Sequence, residues 1–134
     1  MAFTFGKEER LCSQKLIDQL YSDGRRLMAF PYSVMWREEP SLEVPCQVLI
    51  VAPKRRFHHA VDRNHAKRIT RECYRLLKPQ LYSALQHRGM HITLGLVYVG
   101  NEILPFEKTL LKMEKLLTQL TNELTHEKAD EPAE

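Results

Sequence analysis

The apolar positions change period several times along the chain, and each change marks an element. Leu16, Ile17, Leu20 and Tyr21 recur at helical spacing. Ser13 precedes them as an N-cap and Gly24 follows as a stop, which predicts a short helix over 13–22. Residues 25–30 (RRLMAF) predict a first short strand and 32–38 (YSVMWRE) a second, separated by Pro31. After a turn at Glu39-Pro40-Ser41, residues 44–52 (VPCQVLIVA) predict a third strand, whose unbroken VLIVA run implies burial on both faces. A long helix is expected from about Val61 to Lys78, running on through Leu81 to Leu85, with Pro79 as a break or kink. Residues 91–99 (HITLGLVYV) form the fourth strand, ended by Gly100-Asn101.

A last helix is expected from about Phe106 to Thr125. Phe106, Leu110, Met113, Leu116, Leu117, Leu120 and Leu124 fall within an arc of about 120°, with Leu111 outside it. That arc reads as a core-packing face rather than a partner seam. Residues 126–134 (HEKADEPAE) are acidic and poor in apolar side chains, and are expected to be disordered. The order is therefore helix, three strands, helix, strand, helix. It implies an α+β domain over 1–125, with helices packed on one sheet of about four strands.

Charge changes this picture at one place. Residues 54–78 hold nine of the chain's twenty Lys and Arg but only two of its seventeen acids, Asp62 and Glu72. The window carries +7 in a chain whose total is +3, so the rest of the chain sums to −4. Counted at about 100° per residue from Arg63, the cations Arg63, Lys67, Arg68, Arg71, Arg75 and Lys78 occupy one flank of the helix. Ala66, Ile69, Cys73, Leu76 and Leu77 occupy the other, which must pack on a core. An ordinary solvated face mixes signs at i,i+4. Here Lys67, Arg71 and Arg75 repel one another unless an anion lies along them, and nucleic acid is the anion expected.

Composition sets outer bounds. The 134 residues, 43% hydrophobic and 28% charged, suit one globular domain. No apolar run has the length of a membrane span, and none at the N-terminus reads as a secretory signal. Cys12, Cys46 and Cys73 are odd in number and far apart, which points to free thiols in a reducing cytoplasm. Cys73, on the apolar flank, reads as a small core residue.

The basic segment Ala60-Val61-Asp62-Arg63-Asn64-His65-Ala66-Lys67-Arg68-Ile69-Thr70-Arg71-Glu72 resembles the signature helix of the bacterial ribonuclease P protein component. His65 stands where the family carries the second arginine of an R-N-R. Val51-Ala52-Pro53-Lys54-Arg55-Arg56 resembles the segment that ends the family's central strand. Arg10-Leu11 and the run Ile17, Tyr21, Gly24 resemble its N-terminal pattern.

The resemblance spans about residues 8–100 and implies an α+β fold with a left-handed crossover between strands, against the usual rule. It implies partners: the catalytic RNA subunit of ribonuclease P and the 5′ leader of precursor tRNA. It also implies that hydrolysis belongs to the RNA with Mg²⁺, with no organic cofactor. By position, Arg63, Asn64, His65, Lys67, Arg68 and Arg71 match the RNA-subunit contacts, and helix geometry adds Arg75. Tyr21 matches a leader-binding aromatic, with Ile17 in place of another. Tyr32, Met35 and Trp36 are strand candidates for the same cleft, and Lys54, Arg55 and Arg56 are candidates for leader or RNA phosphates.

The residues bear on two other chemistries. His58, His59 and His65 have a spacing that could ligate zinc, but only Asp62 is near to complete a shell, within a strongly cationic surround. Asp62 and Glu72 are ten residues apart and about 80° apart around the helix, so they cannot share one metal. The chain is therefore expected to carry no active site of its own. The alternatives are an RNA-binding or ribosome-associated module without a processing role and, less favoured, an autonomous nuclease.

Overall fold

A computed structural model describes the backbone of residues 6–130 and the side chains as far as Leu124. A 3-10 turn, Lys7–Glu9, leads into helix α1, Gln14–Asp23. Ser13 caps that helix, its hydroxyl accepting from the Leu16 N–H at 3.3 Å. Strands β1, Arg25–Ala29, β2, Tyr32–Glu38, and β3, Cys46–Val51, come next. Helix α2, Ala60–Arg88, strand β4, Ile92–Tyr98, and helix α3, Phe106–Asp130, complete the α-β-β-β-α-β-α order.

The strands form one sheet in the order β1-β2-β4-β3. β1 with β2 and β2 with β4 are antiparallel, while β3 and β4 are parallel, so α2 is the crossover joining them. Strand alternation gives the sheet two faces. Leu27, Tyr32, Val34, Trp36, Val48, Leu94 and Leu96 face α2 and α3 and form the main core. Met35, with Leu49 and Val97 beside it, faces α1 and meets Leu11, Ile17 and Leu20. Gly95 sits under that helix. A Cβ there would lie 2.9 Å from Met35 Cε and 3.3 Å from Leu20 Cδ2, so glycine lets α1 approach the sheet.

Four expectations need correction. The VLIVA run is not buried on both faces: Val48 is buried, but Leu49, Ile50 and Val51 are half-buried because β3 is an edge strand. α2 passes Lys78 as expected, but it does not end at Leu85 or break at Pro79. It runs to Arg88 and stops at Gly89, whose left-handed φ of 65° lets its N–H reach the Gln86 carbonyl. Burial of Lys78, Leu81 and Leu85 on both sides of Pro79 holds the helix through the proline.

The helix is also rolled relative to the expected wheel. Its buried side is Ala66, Thr70, Cys73, Tyr74, Lys78, Leu81 and Leu85, while Leu76 stays partly exposed. Finally, α3 continues to Asp130, into the stretch expected to be disordered, and residues 131–134 lie outside the described ones. The α3 core face is as the periodicity sets it: Met113, Leu116, Leu117, Leu120 and Leu124 are buried, and Leu111 is 61% exposed.

Candidate nucleic-acid interface

The roll of α2 decides which cations reach solvent. Asn64, His65 and Arg68 are exposed on its outer side. Arg63, Lys67, Arg71 and Arg75 form an i,i+4 row along one flank, each half-exposed. Arg63 ties the helix start to the preceding loop. Its Nη1 donates to the carbonyls of Phe57 at 3.0 Å and His58 at 3.1 Å. Arg68 Nη2 lies 3.2 Å from His65 Nδ1. Arg75 pairs with Glu72 at 2.8 Å. Among the described residues, Lys67, Arg68 and Arg71 have no ion-pair partner. Like charges held close together on a helix without ion-pair partners are a template for phosphates.

Lys78 leaves the row. The residue is buried, 2% exposed, and its ammonium meets the Glu9 carboxylate from the N-terminal turn. Tyr82 O–H and the Gly6 N–H also donate to Glu9.

On the other face of the sheet, α1 and the strands enclose a groove of about 380 Å³. Tyr21, 43% exposed, borders it, Met35 forms part of its floor, and Arg26, Ser33, Arg55 and Val97 complete it. Arg26 Nη2 donates to the Tyr21 carbonyl at 2.7 Å, which ties β1 to α1 at the groove wall. Ile17 packs inward with Leu11, Leu20 and Met35.

Two of the strand candidates are not in this groove. Tyr32 and Trp36 are buried on the opposite face, because even-numbered positions of β2 point to α2 and α3. The Tyr32 hydroxyl is 2.7 Å from Thr70 Oγ1, and burial raises its pKa well above the ordinary phenol value. Trp36 Nε1 donates toward Glu123 at 3.5 Å. The basic run at the end of β3 also divides: Arg55 lines the groove, Lys54 is exposed outside it, and Arg56 Nη1 donates to Asn101 Oδ1 at 2.9 Å.

Arg26 and Ser33 were missed as groove residues. The signal for them is pairing register: Arg26 opposes Met35, and Ser33 opposes Val97, so all four share one face. Met28, opposite Ser33 and 63% exposed, extends that face.

No group of three or more His, Cys, Asp or Glu among the described residues could hold a metal ion. Glu72 is engaged by Arg75, and Asp62 is exposed in the first turn of α2, where its charge favours the helix dipole.

A family model described as Ribonuclease P matches residues 5–121. The chain belongs to the ribonuclease P protein family. It is 33% identical over 120 residues to the ribonuclease P protein component of Porphyromonas gingivalis, covering 87% of this chain and 88% of that one. It is 30% identical over 103 residues to the one from Chlorobium phaeobacteroides, covering 70% of each. The fold is similar to that of the RNase P protein from Thermotoga maritima. That match has a TM-score of 0.67 at 20% identity and covers 83% of this chain and 96% of that one. It is also similar to the Staphylococcus aureus RNase P protein, with a TM-score of 0.66 at 15% identity and coverage of 84% and 94%. A ribonuclease P protein works within a ribonucleoprotein, so this chain has an RNA partner.

Proposed function

We propose that the outer face of α2 binds the catalytic RNA subunit of ribonuclease P and that the α1–sheet groove receives the 5′ leader of precursor tRNA. The carrying observation is the unpaired set Lys67, Arg68 and Arg71, flanked by Arg63, Asn64, His65 and Arg75, on one side of a rigid helix. Arginine grips phosphates bidentately and stacks on bases, and a helix fixes the spacing between successive grips.

The groove suits a single strand. Tyr21 offers a ring on which a base can stack, at roughly 1–3 kcal/mol per base. Arg26 and Arg55 stand at its border for the backbone, and Val97 and Met35 give it an apolar floor. Lys54 and Arg56 lie beyond its edge, where they can meet phosphates of either RNA.

Asp62 and Glu72, the two acids of the basic stretch of α2, are about 80° apart around the helix and cannot share one metal. We therefore assign the Mg²⁺ that the family implies, and with it phosphodiester hydrolysis, to the RNA. The protein's part is to hold the leader and the RNA subunit in one register. That role places it in the cytoplasm with its RNA. No helix among the described residues is long and apolar enough to cross a membrane.

The test is reconstitution. The purified chain alone should leave precursor tRNA intact. Adding the chain to its cognate RNA subunit at low magnesium should restore 5′ maturation. Cleavage by the chain alone would overturn the division of labour, and failure to stimulate the RNA would favour a plain RNA-binding module.

A further inference from the structure

His65 and Arg68 are three residues apart, so they stand on adjacent turns of one helix face. Both are exposed, and Arg68 Nη2 lies 3.2 Å from His65 Nδ1. A guanidinium carries five N–H donors and no acceptor. The contact is therefore a hydrogen bond only when Nδ1 keeps its lone pair and receives the Arg68 N–H. A proton on Nδ1 would set two donors against each other at that distance. The neutral ring holds one proton, which is then on Nε2. Nε2 projects from the far side of the ring, away from Arg68, and meets no acceptor among the described residues.

The hydrogen bond matters for Arg68 because its side chain is long and lies in solvent. A guanidinium held in place before the complex forms loses less rotamer freedom on binding. The second consequence concerns charge. A ring in this form is a donor without a charge, so it displaces no counterion from RNA.

We infer that His65 is a neutral bridge in the RNA-subunit interface: its Nδ1 holds the Arg68 guanidinium, and its Nε2–H donates to an oxygen of the RNA. Arg68 neutralises the phosphate, and His65 is its positioning residue as well as an uncharged contact. The inference rests on the reading that the outer face of α2 meets the RNA subunit, and it adds how His65 acts there.

The first test is the tautomer. In nitrogen spectra of the full chain labelled at histidine, at about pH 8, the signals lost in His65→Gln should be those of a neutral ring protonated at Nε2. A ring protonated at Nδ1 or at both nitrogens, or one exchanging between tautomers, would overturn the inference.

The second test is binding of the cognate RNA-subunit transcript across a salt series. His65→Ala should weaken binding about three- to tenfold, the scale of uncharged hydrogen bonds, with the log–log slope unchanged. Arg68→Ala should lower that slope by about 0.7–0.9. A slope loss of the same size in His65→Ala would make the ring a cation in the complex and refute the neutral bridge.

Two substitutions separate the two nitrogens. Asparagine Oδ1 can replace the acceptor at Nδ1, and glutamine Nε2 can replace the donor at Nε2. His65→Asn and His65→Gln should each lose less than His65→Ala. With Arg68→Ala in place, His65→Gln should have no further effect, because no guanidinium remains to be held. A His65→Gln loss that is equal with and without Arg68 would show that the ring does not position it. Both side chains are exposed, so all the variants should melt with wild type.

If wild type binds and Arg68→Ala weakens it, while His65→Ala changes nothing, the bridge alone falls. If wild type does not bind the transcript, the reading of α2 fails and the bridge falls with it.

Discussion

Replacing Lys78 with methionine should damage this protein far more than replacing any other lysine of α2. The Lys78 and Glu9 side chains are 3% and 10% exposed, and the Lys78 ammonium lies 5.2 Å from the Tyr82 ring centroid. Methionine fills similar volume but leaves the Glu9 carboxylate buried without its ammonium partner, with Tyr82 O–H and the Gly6 N–H as donors among the described residues. Breaking a buried pair this way costs about 3–5 kcal/mol. Domains have only about 5–15 kcal/mol in total. At this size the loss corresponds to a melting point lower by about 10–20 °C. Glu9→Gln with Lys78→Met should recover most of it, because no unpaired charge is then buried.

The pH dependence gives a second check. Burial raises the Glu9 pKa, but hydrogen bonds from Lys78, Tyr82 and Gly6 together with the lysine charge outweigh it, so the carboxyl titrates below its ordinary 4.5. In wild type the pair's stabilisation is thus present above the ordinary value and is lost as pH falls through the depressed one. In Lys78→Met, burial acts without the cation and the carboxyl shifts upward. The variant's deficit should then shrink as pH falls from 7 toward 5, since a protonated acid is cheaper to bury. Urea melts of the three proteins across that range measure both effects. A deficit below about 0.5 kcal/mol, constant with pH, would place Lys78 on the surface scale and refute the reasoning.

Three further outcomes are expected. Arg68→Ala should lower the salt slope of RNA-subunit binding by about one phosphate contact while leaving the melting point within experimental error; an unchanged slope would remove Arg68 from the interface. Tyr21→Ala should weaken binding of precursor tRNA more than of mature tRNA, with a difference of roughly 1–3 kcal/mol, and equal losses would dissociate Tyr21 from the leader. Gly95→Ala should destabilise by about 1–3 kcal/mol and lift α1 from the sheet, so precursor–mature discrimination should narrow with it; a variant as stable and selective as wild type would mean that Met35 and Leu20 absorb the methyl without moving α1.

The parts legible in the sequence were those written in local periodicity. The α3 face from Met113 to Leu124 and the Ser13 cap of α1 follow from spacing alone. The unpaired cations Lys67, Arg68 and Arg71 follow from like charges at helical intervals. What stayed hidden depends on distant partners. Lys78 shares the spacing of the exposed cations, but it is buried, and its ammonium meets Glu9, 69 positions away. Tyr32 and Trp36 look like binding aromatics until strand pairing assigns them to the α2 side, where Thr70 and Glu123 meet their polar atoms. Arg26 and Ser33 join the groove only through the register of β1 and β2, which composition does not encode. Pro79 is a helix breaker by local rule, overruled here by the burial of Leu81 and Leu85 beyond it.

The central claim is that position, not overall charge, makes this chain bind its RNA, and two triple variants of equal net charge test it most directly. One removes Lys67, Arg68 and Arg71 from α2; the other removes the exposed Lys108, Lys112 and Lys115 from α3. Salt titrations of RNA-subunit binding should show the first variant losing roughly two units or more of slope and the second retaining the wild-type line. Equal losses in the two would mean that the cations of α2 have no privileged place in the complex.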